Sequence, residues 1–556
     1  MIGVISNESD ASVVQEFFEF FKTPWRFLDG AETSEVLLTT GELGGRSGSA
    51  KVVIILGSER CAFDDMHGIR GEVVDGCVEA EYGDNILPVY GRVLKFEQTE
   101  ERRSVLPLCG SNGAIGFGIR DGDRTYWRLG VDLFSEVSLV LTEGQPIEYA
   151  RSPTIEIYRD LLRDLIVQGG VPVVEIPPVP HGYEFAACLS HDVDFVWVRR
   201  HGLDHTLFGF LYRALFGTPL DWLRGKVGLR KVLTNWLATL KLPLVHLGLV
   251  RDFWSPVEHY TEIERRFGST FYFVPKKGYP GVSLDGEGEA SGIRATRYDV
   301  GEIASVVRDL VLDGFEVGLH GLDAWGDPIK GREERRTIQA LTSDEEVGVR
   351  MHWLYSTSST AAALDDAGFE YDSTVGYNGA VGYRAGTSQV YRPLGVARLL
   401  ELPMHIQDTA LFYPCHMGLG ESEARTEVRK LLENSKKFGG VVTVNWHHRS
   451  LAPERLWGDF YREMIAEFER RNAWIGTARS IVRWYRKRRS VSFEEVQLKG
   501  GQLKVRLRSD TEAQLPQLVL RVHRPRSDSW DGSQATDDCL GSEFAFSGTL
   551  DQTVAF

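Results

Sequence analysis

The sequence of 556 residues lacks several features that mark particular classes of protein. Its six cysteines are widely spread and form no C-x-x-C pair, which predicts reduced thiols rather than a disulfide framework. The first residues, M-I-G-V-I-S-N-E-S-D, contain neither a basic segment nor a long apolar one. No signal peptide is therefore expected, and a cytoplasmic location is favoured. No apolar run is long enough to predict a transmembrane segment.

Positive charge is also scarce. The formal net charge is -15 and the isoelectric point is about 5.5, which argues against a general nucleic-acid binder because such proteins need a basic face. The hydrophobic content of 42% and the charged content of 25% are typical of a globular protein. At about 150 residues per domain, the length predicts two to four domains.

The pattern of the chain predicts three parts. Residues 1–180 are expected to form an α/β domain, because short apolar strands at 2–5 and 51–56 flank a helical pattern at 12–21. Four prolines between 172 and 180 then mark a stiff connector. Residues 181–488 are expected to form the main domain, and residues 489–556 alternate as the strands of a small β-rich C-terminal segment.

The main domain is predicted to be a barrel. After the apolar run that begins at Ala186, strands are predicted at 269–274, 315–320, 348–352, 368–372, 440–448 and 474–477. Helical patterns lie between them, including those at 332–347 and 421–437. Repeated helix–strand units favour parallel strands with right-handed crossovers. Residues 203–252 interrupt this order as an apolar helical insertion. Core helices, a lid, a partner surface and a peripheral membrane contact are the alternatives for it.

Polar, titratable side chains end several of these strands. They are Asp192, Asp194, His320, Arg350, His352, Asp372, His447 and His448. In a parallel barrel those ends share the face that carries the active site. Packing alone does not explain such a set, because buried polar groups cost free energy unless they are paired. Asp and His without Cys favour Zn²⁺ or another borderline divalent ion and indicate metal-assisted hydrolysis with a separate base and acid.

Four segments resemble, in order and spacing, the signature blocks of the polysaccharide deacetylase superfamily (carbohydrate esterase family four and its relatives). They are S-H-D-V-D, G-L-H-G, G-V-R-M-H-W and N-W-H-H. G-F-E-Y-D-S-T-V-G-Y and G-Y-R-A-G-T-S resemble a branch with longer sequences, and the resemblance covers about residues 185–485. It implies a deformed (β/α) TIM-like barrel that removes acetyl groups from an N-acetylated glycan or glycan precursor with a bound divalent metal.

The resemblance also implies roles for individual residues. Asp192 corresponds to the general base, Asp194 to the metal-binding carboxylate and His320 to the first metal-binding histidine. The family motif has adjacent aspartates, whereas Val193 separates them here, which leaves open which aspartate has which role.

The family's second metal-binding histidine would fall at Ala324. His352, Asp323 and Asp327 could replace it, and His352 is favoured because it ends another strand. Arg350 corresponds to the arginine that orients the base.

The remaining roles keep alternatives. His447 or His448 corresponds to the general acid, and Asp372 or Asp408 could orient that histidine. Arg384 and Asp372 are candidates for substrate binding, with a surface salt bridge as the other interpretation of Arg384.

Two other functions stay open. The absence of a histidine at Ala324 is compatible with a catalytically inactive, deacetylase-like protein that binds glycan. A barrel also supports many reactions, so a hydrolase of a non-sugar amide is the second alternative.

Overall fold

The structure is a computed structural model that describes residues 1–29, 32–41, 48–97, 102–225, 227–254, 257–525 and 540–555. The chain divides into two compact units. The first consists of Met1–Gly182, Tyr383–Gly395 and Arg483–Phe556, and the second consists of Tyr183–Gly382 and Val396–Val482. The three predicted domains stay a prediction, because residues of the predicted N-terminal and C-terminal domains share one unit.

The strands of the described residues, in chain order, are β1 (Ile2–Ile5), β2 (Trp25–Phe27), β3 (Val36–Thr39), β4 (Val52–Leu56), β5 (Gly71–Val74), β6 (Val78–Tyr82), β7 (Asn85–Val89), β8 (Val93–Phe96), β9 (Arg103–Ser104), β10 (Gly116–Asp121), β11 (Arg124–Leu129), β12 (Val173–Glu175), β13 (Phe185–Val193), β14 (Thr270–Phe273), β15 (Glu316–Gly321), β16 (Val349–Met351), β17 (Tyr371–Asp372), β18 (Leu400–Glu401), β19 (Ile406–Gln407), β20 (Val441–Asn445), β21 (Ala473–Gly476), β22 (Ser492–Lys499), β23 (Gln502–Arg508), β24 (Leu518–His523), β25 (Leu540–Phe546) and β26 (Thr549–Ala555).

The α-helices are α1 (Ala11–Phe21), α2 (Ala62–Met66), α3 (Leu133–Thr142), α4 (Thr154–Gln168), α5 (His205–Tyr212), α6 (Thr218–Leu223), α7 (Leu229–His246), α8 (Val257–Glu264), α9 (Ala304–Leu312), α10 (Pro328–Thr342), α11 (Thr360–Ala367), α12 (Asp408–Phe412), α13 (Glu421–Phe438), α14 (Gly458–Arg470) and α15 (Ala478–Arg489). None of the helices among these described residues is both long and apolar enough to cross a membrane.

The first unit is built on a seven-stranded sheet in the order β2-β1-β3-β4-β11-β10-β9. Strands β1 to β4 and β11 pair in parallel, and every residue of β4 is buried, as the continuous apolar run of that strand predicts. The C-terminal residues join this unit through β24, which pairs antiparallel with β12. The segment 383–395 belongs to the same unit: the amide of Tyr383 donates to the carbonyl of Ala150, and the hydroxyl of Thr387 donates to Glu156.

The second unit holds a parallel sheet in the order β18-β17-β16-β15-β14-β13-β20-β19, with β21 paired to β13. A flat sheet of eight strands would separate its edges by about 34 Å, since neighbouring strands lie about 4.8 Å apart. The two edge strands, however, are joined by the short segment from Glu401 to Ile406, which spans about 18 Å at most. The sheet therefore curls into a half-barrel. No ladder between described residues pairs β18 with β19, so this barrel is open there.

The parallel strands of this half-barrel confirm the predicted fold class in its main feature, and one predicted boundary differs. The helix expected at 332–347 is α10, which begins at Pro328. Asp327 precedes it, and its carboxylate accepts hydrogen bonds from the amides of Ile329 and Lys330. An aspartate at the N-cap followed by proline at the first helical position is a start signal that overrides the apolar pattern.

The insertion at 203–252 is helical, as expected, and consists of α5, a π-turn over Arg213–Gly217, α6 and α7. The inner faces of α5 and α7 pack against one hydrophobic cluster that includes Phe210, Leu242, Trp254 and Ala452. This cluster attaches the insertion to the C-terminal ends of the parallel strands, because Ala452 lies a few residues after β20.

Candidate active site

Strand β13 delivers two carboxylates to one face of the sheet. Side chains two residues apart in a strand point the same way, so Asp192 and Asp194 share a face, while His191 points to the other one. The ring of His191 is buried between the carbonyl oxygen of Trp446, 2.8 Å from Nδ1, and a carboxylate oxygen of Glu264, 3.1 Å from Nε2. His191 is therefore part of the packing of the barrel, and the two aspartates are available for chemistry.

Three side chains from different strand ends form a candidate metal site. Oδ1 of Asp194 lies 3.3 Å from Nε2 of His320 and 3.4 Å from Nδ1 of His352, and the two ring nitrogens lie 2.9 Å apart. Both rings are buried. One ligand atom from each of the three residues lies within 4.8 Å of the others.

Backbone carbonyl oxygens fix the orientation of both rings. Nδ1 of His320 lies 2.9 Å from the carbonyl of Arg350, and Nε2 of His352 lies 3.1 Å from the carbonyl of Arg294. A carbonyl only accepts, so these two nitrogens carry protons, and in neutral rings the nitrogens that face each other carry lone pairs. Burial lowers the pKa of His352 to about 4, which keeps its ring neutral at pH 7.

This arrangement fits a divalent cation. Two lone pairs and a carboxylate oxygen that converge at 2.9–3.4 Å repel one another unless a cation lies among them. The buried Oδ1 of Asp194 also has no hydrogen-bond partner among the described residues. Ligand atoms of a tetrahedral Zn²⁺ with bonds of about 2.0–2.2 Å lie about 3.3 Å apart. A carboxylate with two imidazoles is a donor set that zinc accepts.

The carboxylate of Asp192 is held at both oxygens. Oδ1 accepts from Nη1 of Arg350 at 3.1 Å, and Oδ2 accepts from Nδ2 of Asn445 at 2.7 Å. Burial raises the pKa of Asp192, but nearby positive charge, including that of Arg350, outweighs this effect and lowers the pKa below its usual value. Asp192 is thus an ionised, oriented carboxylate, and its Oδ2 lies 3.9 Å from Nε2 of His320.

Arg350 is itself fully buried and held by further hydrogen bonds. Its Nη1 donates to the hydroxyl of Ser190, and its Nε and Nη2 donate to the carbonyl and hydroxyl oxygens of Ser373. The guanidinium also lies over the ring of Tyr272, 4.6 Å from its centroid. These contacts fix the position of the guanidinium group, and its hydrogen bond to Asp192 orients that carboxylate.

His447 forms a second ionic pair in the site. Its Nδ1 lies 2.6 Å from Oδ1 of Asp408, whose Oδ2 accepts from the backbone amide of His447 and from the hydroxyl of Ser450. Its Nε2 lies 3.8 Å from Oδ2 of Asp194. Burial would lower the pKa of His447, but the carboxylate of Asp408 outweighs it and raises the pKa to about 9. His447 therefore carries a proton on Nε2 at neutral pH.

The neighbouring histidine differs. His448 is buried, and burial lowers the pKa of its ring to about 3, so it is neutral. Its ring lies 6.5 Å from that of Phe195, centroid to centroid. Of the two histidines, only His447 is among the described residues that line the pocket.

The alternative ligands are occupied elsewhere. The carboxylate of Asp323 accepts from the hydroxyl of Tyr279, the amide of Val282 and the amine of Lys330. Asp327 caps α10, and Ala324 is fully buried.

The two candidates for substrate binding lie outside the described lining of the pocket. Asp372 is buried and pairs with Glu401 across β17 and β18. Arg384 belongs to the first unit, where its carbonyl oxygen accepts from the amide of Gln145.

The site opens into a pocket of about 670 Å³. Aromatic side chains from several loops line it, including Phe195, Trp254, Trp353 and Tyr355. Trp353 and Leu354, directly after His352, have left-handed backbones with φ of 63° and 55°. Non-glycine residues adopt this conformation at a cost and often do so at functional sites. The pocket is large enough for a sugar and more.

The sequence did not single out three of the residues that hold the site. Asn445 anchors the second oxygen of Asp192, Ser373 anchors Arg350, and Arg294 supplies the carbonyl that orients His352. The sequence contained a signal that could have identified Asn445, since it is a polar residue at the end of an apolar strand. The carbonyl of Arg294 had none, because any residue offers the same group.

No protein-family model and no curated protein matches the chain. Among solved structures, Agd3, a novel carbohydrate deacetylase, is 11% identical with a TM-score of 0.36 and covers 100% of this chain and 99% of its own. A probable polysaccharide deacetylase from Pseudomonas aeruginosa is 15% identical with a TM-score of 0.34 and covers 58% of this chain and 98% of its own. PuuE allantoinase is 14% identical with a TM-score of 0.33 and covers 55% of this chain and 92% of its own.

Identity and TM-score are low in all three cases. Polysaccharide deacetylases are nevertheless among the solved structures to which this chain is similar, in agreement with the resemblance of its motifs.

Proposed function

We propose that this chain is a metal-dependent hydrolase that removes the N-acetyl group from an N-acetylated sugar or polysaccharide. One observation carries the proposal: the Asp–His–His triad, an ionised carboxylate and a protonated histidine converge on one pocket. Amide hydrolysis needs an electrophile, a base and an acid in separate places, and this pocket offers a group for each.

Asp192 acts as the general base. It takes a proton from the water that attacks the carbonyl carbon of the acetyl group. Arg350 and Asn445 each hold one of its oxygens, so the carboxylate does not have to reorient during the reaction. Because Arg350 is fully buried, its role is to position Asp192 rather than to touch the substrate.

His447 acts as the general acid. It gives its Nε2 proton to the sugar nitrogen as the C–N bond breaks, so that acetate and a free amine are the products. Asp408 accepts from Nδ1 and stabilises the doubly protonated ring, so that Nε2 also has a proton to donate. His448 is less suited to this role, because its ring is neutral and lies outside the described lining of the pocket.

Asp194, His320 and His352 would hold the divalent metal, and their oxygen and nitrogen atoms favour zinc. When bound, such an ion supplies a Lewis acid that polarises the acetyl carbonyl and makes water a better nucleophile.

The decisive experiment combines metal analysis with an acetate-release assay. The purified chain should contain one divalent ion and release acetate from N-acetylhexosamine oligomers, and the Asp192→Asn variant should contain the ion but release none. Ion binding with glycan binding and no release would favour an inactive binding protein. Acetate release from N-acetylated peptides, or hydrolytic ring opening of a cyclic ureide, without acetate release from the oligomers would favour a hydrolase of non-sugar amides.

A further inference from the structure

Three arginines meet at one wall of the pocket. Arg213 comes from the insertion, and Arg449 and Arg455 follow β20. Arg449 and Arg455 donate to the hydroxyl of Tyr413, and the guanidinium of Arg213 lies 5.7 Å from the centroid of the same ring. All four side chains line the pocket that holds the Asp–His–His triad.

The charge of this arginine cluster (Arg213, Arg449 and Arg455) is poorly balanced. Two carboxylates lie near it: Glu454, whose Oε1 accepts from the indole of Trp254, and Asp408, which already pairs with His447. Within the described part of the chain, none of the three guanidinium groups forms an ion pair. Nη1 of Arg455 is buried and has no hydrogen-bond partner among the described residues. A buried cation with an unused donor costs free energy unless a ligand supplies the missing acceptor.

The positive charge of the cluster changes the pKa of the neighbouring Tyr413. Burial raises the pKa of Tyr413, but Arg455, Arg449 and Arg213 outweigh it and lower the pKa to about 8. The cluster also lies beside the catalytic centre. Arg449 comes two residues after His447, and its guanidinium lies over the ring of Phe195, 4.2 Å from the centroid.

We propose that this arginine cluster binds a phosphoryl group of the substrate, next to the position of the acetylated sugar ring. A phosphate carries up to two negative charges and several acceptor oxygens, and guanidinium groups bind it through paired N–H donors. The carboxylate of Glu454 would balance only one of the three cations, because that of Asp408 pairs with His447. If the proposed function holds, the substrate is therefore a phosphorylated N-acetylated sugar or a glycan with a phosphate linkage.

Calorimetric titration of the full chain with inorganic pyrophosphate tests this site without turnover. Arg455→Gln and Arg213→Gln should each weaken binding about tenfold or more, because each removes charge-assisted hydrogen bonds. Arg308→Gln is the matched control, since Arg308 is exposed on α9. Pyrophosphate held by a metal instead of by the cluster would keep its affinity in both variants.

Several results would contradict the proposed phosphoryl site. They are no binding of pyrophosphate to the unmodified chain, an affinity of both arginine variants equal to that of the unmodified chain, or binding of glucuronate but not of pyrophosphate. Arg213→Gln keeps the test available if Arg455→Gln does not fold. Phosphatidylglycerol vesicles form a second arm of the experiment. If they displace pyrophosphate, the natural ligand of the cluster is a lipid headgroup. If they do not displace it, the ligand is a soluble sugar phosphate. Failure of the proposed function looks different, because the chain would bind pyrophosphate and release no acetate from any glycan.

A separate observation concerns the outer face of the insertion. On α7 and at the residue that caps its C-terminus, large apolar side chains recur every three or four residues on the exposed side: Leu229, Leu233, Trp236, Leu240, Leu244 and Leu247. Leu240 is 76% exposed and Leu247 is 71% exposed. The opposite side of the helix is buried against the hydrophobic cluster described above. The helix is thus apolar on two sides, and only one of them is covered by described residues of the chain.

The neighbouring helices share this property. Phe208, Tyr212, Phe216 and Trp222 are exposed on α5, the π-turn and α6. More than half of the exposed large hydrophobic side chains of the described residues lie in 203–250, which is less than a tenth of the chain. Apart from Arg213, which lines the pocket, the same segment contains five Arg and Lys residues and two Asp residues, although the whole chain has a net charge of -15.

We infer that the outer face of this insertion docks on an anionic lipid bilayer. Leucines with Trp and Tyr among them, and a local excess of Lys and Arg, match the apolar interior, the interface and the charged headgroups of such a surface. A protein partner with an apolar groove would not need the excess of positive charge. The described helices lie on the bilayer in this inference and do not cross it.

Co-sedimentation with vesicles tests the docking and needs no enzyme activity. The full chain should sediment with vesicles of equal parts phosphatidylcholine and phosphatidylglycerol, and less with phosphatidylcholine alone. Leu233→Glu and Leu240→Glu should each reduce the partition coefficient about tenfold, since each removes one buried leucine from the contact. Leu312→Glu is the control, because Leu312 is 82% exposed at the end of α9.

Two results would overturn the docking. One is equal sedimentation of Leu240→Glu and the unmodified chain. The other is a dimer in light scattering that does not bind vesicles and that becomes a monomer in Leu240→Glu, because the face would then join two copies of the chain.

Discussion

The rings of His320 and His352 face each other with their unprotonated nitrogens 2.9 Å apart, and each ring donates from its other nitrogen to a backbone carbonyl. This relationship fixes both tautomers before any ligand arrives. Together with the carboxylate of Asp194 it makes a preorganised set of donors for a cation.

The first prediction concerns the metal. His352→Ala should lower the affinity for Zn²⁺ by more than about a hundredfold, because it removes a ligand and not only a supporting contact. Zn²⁺ should raise the Tm of the unmodified chain and leave that of the variant almost unchanged. His259→Ala is the control, since His259 is exposed on α8. An unchanged metal content in His352→Ala would remove this residue from the metal site.

The second prediction concerns the base. Asp192→Asn should fold and bind metal but lose turnover by about 10²- to 10⁴-fold, because an amide of the same shape does not accept the proton. Acetate release and metal content are measured on the same preparation. Asp309→Asn, a change at an exposed position of α9, should behave like the unmodified chain. Full activity in Asp192→Asn would exclude this carboxylate as the base.

The third prediction separates the two neighbouring histidines. His447→Gln should slow hydrolysis of an N-acetyl sugar about a hundredfold more than hydrolysis of an aryl acetate, because an amine leaves only when protonated and a phenolate does not need a proton. His448→Gln should leave the ratio of the two rates unchanged, since the ring of His448 lies outside the described lining of the pocket. An equal loss on both substrates in His447→Gln would argue against its role as acid.

The fourth prediction concerns pH and stability. Burial raises the pKa of Asp372 and of Glu401, and the charge of Asp372 raises that of Glu401 further. Raised carboxyl pKa values stabilise the fold at low pH. The contribution is complete below the ordinary carboxyl pKa of about 4 and is lost as the pH rises through the higher values of the folded state.

Glu401→Gln should therefore flatten the decline of the unfolding free energy above pH 4, as measured by urea denaturation at a series of pH values. Glu333→Gln, an exposed position on α10, provides the comparison. A decline of equal slope in Glu401→Gln would show that the pair does not share a proton.

The parts of the fold that the sequence predicted are those with a repeated signal. The expected strands at 269–274, 315–320 and 440–448 contain β14, β15 and β20, and the expected helix at 421–437 is α13. Strands β18 and β19 were not expected, because two residues each carry no periodicity. They are the edges of the half-barrel, so the place where the predicted barrel stays open was beyond the sequence.

By itself, the sequence determined which strand ends carry Asp, His and Arg, because apolar runs followed by polar residues are a local pattern. Only the tertiary structure decided that His352 faces His320, that His447 rather than His448 lines the pocket, and that three arginines from distant segments meet there. These choices depend on the directions of side chains and on backbone carbonyls far away in the chain, and no local pattern records them.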